Sequence, residues 1–173
     1  MPISLYDAFV PSARQTVGAI QALVAKAESW SAEGGPTEAE IVNGRLHETM
    51  LPFSFQIKSV AQHSLGAIEG VRAGLFDAMA GEMPTSFAGM KALLTKTDEG
   101  LAAVTSDEME GFIGRDTAFD LRGMKIPFTG ENFLLSFSQP NFYFHATTAY
   151  DILRVKGLPL GKRDFLGHLR IKV

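Results

Sequence analysis

Four histidines, His47, His63, His145 and His168, are the residues best suited to ligate a metal or carry a proton in this chain, because it has no cysteine. The stretch NFYFHATTAYDILR, residues 141–154, sets His145 among Phe142, Tyr143 and Phe144. On a helix, Asn141, His145 and Thr148 share one face, at steps of four and three residues. A second polar stripe, Gln56, Ser59 and His63, runs beside an apolar one further upstream. Two such stripes on facing helices would line an interior pocket, and bundle cores build metal and ligand sites in this way. These six residues are the candidate pocket residues.

A paired imidazole site on one helical face needs His-x-x-x-His spacing. Positions 141 and 149 are asparagine and alanine, so His145 has no such partner. Neither His-Glu-x-x-His nor Glu-x-x-His occurs, and the adjacent His47-Glu48 pair points to different faces of a helix. A zinc site needs at least three protein ligands. Here His63 and His145 would require an unassigned third donor, such as Glu48 or Asp77. No metal cofactor is therefore expected, and if a divalent zinc or nickel ion binds, His63 and His145 are its ligands. The other reading of His145 is an interior imidazole that donates to a neighbouring oxygen, as buried polar groups do. Burial would lower its pKa from about 6.5, and a nearby carboxylate would raise it.

Other chemistries lack their residues. There is no Gly-x-Ser-x-Gly nucleophile elbow. Residues 157–163, GLPLGKR, have three residues rather than four between the glycines, and arginine where a phosphate loop carries serine or threonine. Gly157 and Pro159 read better as a helix stop.

A length of 173 residues suits one domain, 1–173, with a continuous core. The hydrophobic share of 46% and the charged share of 20% are those of a globular protein. A net charge of −3, with no basic stripe carrying interleaved aromatics, argues against nucleic acid as a partner. The absence of cysteine excludes disulfides, thiolate metal sites and cysteine nucleophiles. No window resembles a secretory leader or a membrane span, so a cytoplasmic chain with no membrane partner is the expectation.

The elements that must position the candidate residues follow from apolar periodicity. Leu5, Phe9, Ala13, Val17, Ile20, Val24 and Ala27 form the stripe of a long first helix, capped by Ser4 and interrupted in pattern only by Pro11. Thr37 to Glu40 has capping-box spacing and opens a short helix closed at Asn43-Gly44. A second long helix starts at Pro52, with Phe53, Ile57, Val60, Ser64, Ile68 and Val71 inward. Its Gly66 and Gly70 are expected to admit a close neighbour. A third runs from about Thr85 to Val104, burying Phe87, Met90, Leu94, Thr97, Leu101 and Val104. Residues 112–128 then break the pattern and predict a long connection with a two-stranded hairpin around Arg122-Gly123. A fourth helix runs from Thr129 to Arg154, with Pro140 expected to kink or restart it, and an irregular tail docks through Leu158, Leu160, Phe165 and Leu166. The prediction is an all-α four-helix bundle with a long crossover before the last helix.

PNFYFHATTAYDILRVKGLPLGKRDFLG, residues 140–167, resembles the C-terminal signature of an uncharacterised bacterial family of DinB-like proteins. Arg45-Leu46, Met50-Leu51-Pro52-Phe53 and Phe128-Thr129-Gly130-Glu131 fit the same pattern. The resemblance implies the DinB/YfiT-like four-helix bundle and a homodimer. It also implies a superfamily of metalloenzymes with three histidines, one from the second helix and a His-x-x-x-His pair later. Only His145 matches a paired position, and His63 is the available helix-two candidate. Two readings stay open: a non-metal ligand-binding or dimeric interaction protein, and a divergent metal-dependent hydrolase or transferase acting on a small substrate.

Overall fold

The computed structural model describes residues 3–172. Residues 1, 2 and 173, which the single-domain expectation includes, lie outside the described residues. The chain is mostly helical. Helix α1 (Leu5–Ala32) is followed by α2 (Glu38–Val42), and then by one long helical stretch. That stretch is α3 (Phe53–Ala61), a π-helical turn π1 (Gln62–Gly66) and α4 (Ala67–Ala73). Strand β1 (Leu75–Asp77), α5 (Phe87–Ala102) and α6 (Ser106–Glu110) come next. Strands β2 (Asp116–Leu121) and β3 (Met124–Thr129) lead into α7 (Gly130–Asn132), a second π segment π2 (Phe133–Ser138) and α8 (Gln139–Lys156). Helix α9 (Lys162–Leu166) closes the order.

Local chemistry starts and stops these helices, at Ser4, Thr37–Glu40 and Gly157 as the sequence predicts and at Gly74 in addition. Ser4 Oγ accepts from the Asp7 amide at 3.0 Å, and Thr37 and Glu40 form the reciprocal capping box. Gly74 and Gly157 end α4 and α8 in the left-handed conformation, where a Cβ is unfavourable. Pro11 does not interrupt α1. Pro140 falls in the first turn of α8, directly after π2, where the widened turn leaves room for its ring and for the carbonyl that loses its N–H donor. The last helix is thus restarted rather than broken.

Every residue named above for the three inward stripes is buried. Helix α1 packs on α5 and α8, and α3 packs on both as well. Burial of α3 extends around its circumference and includes Ser54, Gln56, Lys58 and Ser59. Fully buried side chains such as Phe53, Phe133, Phe142, Ile57 and Leu94 contribute about 1.5–3 kcal/mol each relative to exposure. The irregular start of the tail docks as expected through buried Leu158 and Leu160, whereas Phe165 and Leu166 lie in the short helix α9 and are only half-buried. Gln15 Nε2 donates to the Leu166 carbonyl at 2.9 Å, and Lys26 pairs with Asp164.

The expected two-stranded hairpin is one part of a three-stranded sheet, so the all-α expectation needs correction. Strands β2 and β3 pair antiparallel through a turn in which Arg122 (φ 53°) and Gly123 (φ 91°) are both left-handed. Strand β1 adds parallel to β2, with Phe76 opposite Phe119. Three residues are too short to carry a period, which is why β1 left no mark in the sequence. Gly70 exists for this strand: a Cβ there would lie 2.8 Å from Phe76 Cβ. Gly66, by contrast, has no neighbour closer than 3.6 Å, so the expectation of close approach holds for one glycine and fails for the other. Among the described residues, no helix is long and apolar enough to cross a membrane.

Gly70→Ala should lower the urea midpoint by the equivalent of about 1–3 kcal/mol, the usual cost of overpacking. Gly66→Ala should leave it unchanged or raise it by up to about 1 kcal/mol through helix propensity. Equilibrium urea titration of the pair checks the contrast.

Candidate functional site

The seam between α3–π1 and α8 brings three of the six candidate residues together. The Gln56 amide nitrogen donates to the Leu51 carbonyl at 2.9 Å, and Gln56 Oε1 sits 2.7 Å from His145 Nδ1. Because the Leu51 carbonyl can only accept, the amide orientation follows, and His145 must carry its proton on Nδ1. Its Nε2 is left as a free acceptor. Gln56 is 2% exposed, so this chain runs through the interior.

His63 lies on the other side of His145. The two rings stack with centroids 5.7 Å apart and planes inclined by 12°. His63 also packs on Phe76 at 5.3 Å and Phe137 at 5.8 Å, and its buried Nδ1 has no hydrogen-bond partner. His145 is only partly buried and meets the edges of Phe55 and Phe144. Both π segments contribute here, since His63 belongs to π1 and Phe137 to π2. A π turn adds one residue and re-aims the side chains that follow it. In π1 the loosened carbonyls of Val60 and Ala61 accept from Ser64 Oγ, at 2.6 and 3.2 Å.

The remaining candidates are placed differently. Asn141 Nδ2 donates to the Phe137 carbonyl at 2.7 Å, and Thr148 Oγ1 to the Phe144 carbonyl at 2.7 Å. Both side chains are thus engaged on their own helix. Ser59 is buried on the same face of α3 as Gln56. His47 and His168 are exposed, and His47 Nδ1 is hydrogen-bonded to Thr49. Phe55, Phe76 and Phe137, which wall the imidazole pair, were not singled out by sequence reasoning. Aromatic residues at helical spacing read as ordinary core, and Phe76 sits in the strand that has no period.

Electrostatics follow from burial. Desolvation lowers the pKa of His63 to about 3, with the positive form of His145 as a second cause. Burial alone lowers His145 to about 4. Both rings are neutral near pH 7, and bases this weak are poorly matched to proton transfer at that pH.

The resemblance to three-histidine proteins can be tested against these donors. Positions four residues either side of His145 hold Asn141, whose amide is engaged, and the fully buried Ala149. His63 and His145 supply two imidazoles, nearly parallel with centroids 5.7 Å apart, and the sequence gives them no third histidine on α8. Among the described residues, no group of three or more His, Asp or Glu side chains is placed to hold a metal ion. The residues do not fit the three-ligand centre.

Residues 5–166 match the family described as Domain of unknown function (DUF1993). The chain belongs to that family. A DinB family member protein from Shewanella denitrificans, known from its crystal structure, superposes with a TM-score of 0.80 at 22% identity, covering 98% of this chain and 95% of that one. This likeness shows that the DUF1993 chain shares the DinB-type fold, and at that identity it shows the fold alone. No curated protein matches the chain.

A pH dependence follows from the histidine pair. In the unfolded chain each imidazole protonates near pH 6.5, whereas the native rings resist protonation until about 4 and about 3. Below about pH 6.5 the unfolded state therefore binds more protons, and stability falls as the solution is acidified, by several kcal/mol in all at the order-of-magnitude level. Carboxylates such as Glu108, held low by Arg72, add their loss only within and below the ordinary carboxylate range. Urea midpoints measured between about pH 6.5 and 5 should fall in the wild type, and much less in a His63→Phe/His145→Phe variant.

Proposed function

We propose that this DUF1993 protein is a non-metal ligand-binding protein. Its four long helical stretches form a DinB/YfiT-type bundle, and His63 and His145 are a neutral imidazole pair rather than catalytic metal ligands. The observation that carries the reading is the Leu51–Gln56–His145 chain. It fixes the Nδ1–H tautomer and leaves Nε2 of a partly exposed, weakly basic ring as a permanent acceptor. The rings of Phe55 and Phe144 pack against this imidazole, which suits an uncharged or cationic small molecule with an N–H or O–H donor. Asn141, Thr148 and Ser59 shape the surroundings. A cytoplasmic homodimer belongs to the same proposal, supported by the exposed apolar strip of Leu46, Tyr143 and Phe144 beside the site.

The deciding experiment is elemental analysis of untagged protein purified without chelator, paired with 15N NMR of the histidine rings. The expected result is metal far below one ion per chain, unchanged by His63→Ala or His145→Ala, and a His145 spectrum of the neutral Nδ1–H form at pH 7. Gln56→Leu should then mix the tautomers and cost about 1–3 kcal/mol, because it leaves a buried N–H without an acceptor. Near-stoichiometric zinc or nickel that disappears in both alanine variants would overturn the proposal. It would restore the divergent metal-dependent hydrolase or transferase, with the unpartnered His63 Nδ1 as the nitrogen to examine first.

A further inference from the structure

Lys58 is 7% exposed, yet it lies on α3 between residues that face the core and residues that face the histidines. Its ammonium donates to the Met79 carbonyl at 3.3 Å. Among the described residues the ion pairs are Arg14–Asp98, Lys26–Asp164, Arg72–Glu108 and Lys91–Glu28, so no carboxylate neutralises Lys58. An ammonium has three N–H donors, and a buried cation with one long hydrogen bond is costly unless something else pairs with it.

The lysine lines a cleft of about 420 Å³, within the size range of small-molecule sites. The cleft opens on the opposite side of the α3–π1–α4 stretch from the histidine pair. Ala61, Leu65, Phe76 and Leu93 give it apolar walls. The segment after α4 roofs it, tied down by Gln62 Nε2 donating to the Ala80 carbonyl at 2.6 Å. Exposed Lys96 also lines it, and so do the exposed carboxylates of Glu69, Asp77 and Glu82. One buried cation thus lies inside apolar walls, while exposed carboxylates outnumber the exposed lysine.

We propose that this cleft binds a small monocarboxylate with an apolar body, its carboxylate on Lys58 and its body against Leu65, Phe76 and Leu93. A single negative charge satisfies the ammonium. A phosphate monoester, with a second charge, meets the surrounding carboxylates at greater cost. An amine has no partner inside, because the only charge there is positive. The proposal goes beyond the histidine reading and does not use it, since metal content and tautomer do not enter. Phe76 is the one shared wall, packing on His63 while lining the cleft.

The test is isothermal titration of the full chain with sodium octanoate, octyl phosphate and octylamine in parallel. Octanoate should bind one per chain, more tightly than octyl phosphate, and octylamine should not bind. Lys58→Met, close in shape, should weaken octanoate on the order of tenfold or more, the loss of a charge-assisted contact. Gly66 lines the cleft and has free space at its Cβ, so Gly66→Phe should abolish binding with Lys58 untouched. Circular dichroism and urea titration identify a variant that has lost its fold, and the other variant then decides. Absence of octanoate binding, binding unchanged in a folded Lys58→Met or Gly66→Phe, or octyl phosphate binding as tightly as octanoate would each overturn the assignment.

Discussion

A polar group taken into a helical core has to bring its partner with it, and for His145 that constraint is met by one side-chain amide. Gln56 joins the Leu51 carbonyl to His145, and so ties the segment entering α3 to the middle of α8. Without it the seam would hold an imidazole N–H with no acceptor and a histidine pair with no fixed orientation. With it the tautomer is single, and the neutral rings lie nearly parallel with centroids 5.7 Å apart. The low pKa values of both histidines express the same thing: the interior accepts imidazole and rejects imidazolium.

The first part of the helical stretch 53–73, α3, bears this burden because it is buried around its circumference. An ordinary amphipathic helix has one apolar stripe and one wet face. Here α3 turns its apolar face to α1 and α5, its Gln56–Ser59–His63 face to α8, and its Lys58–Gln62 face to a roofed cleft. The π turn in the middle serves that arrangement by re-aiming the residues after it, and a second π turn ahead of α8 meets it across the seam. π turns often mark functional segments, and two facing each other around one imidazole pair fit that tendency.

Membership of the DUF1993 family and the DinB-type fold do not supply a reaction. The position four residues after His145 is a buried alanine and the position four before is an asparagine engaged with its own helix. The two imidazoles lie nearly parallel with centroids 5.7 Å apart, and among the described residues no third donor joins them.

Periodicity and capping determined the helical part of the fold from the sequence alone. The stripes of the first three long helices, the Ser4 cap, the Thr37–Glu40 box and the Gly157 stop all depend on neighbours within a few residues, and so they could be read along the chain. The polar stripes of Gln56–His63 and Asn141–Thr148 were visible for the same reason. Tertiary structure alone decided which members of those stripes meet. Gln56 and His63 reach His145 because of the angle and register at which α3 and α8 pack, while Asn141 and Thr148 satisfy themselves locally. Strand β1, the cleft over Lys58 and the contrast between Gly66 and Gly70 were likewise invisible, because each depends on a segment distant in sequence settling against the helix. Local pattern encodes the interactions of i with i+3 and i+4, and it carries no record of what lies across a seam.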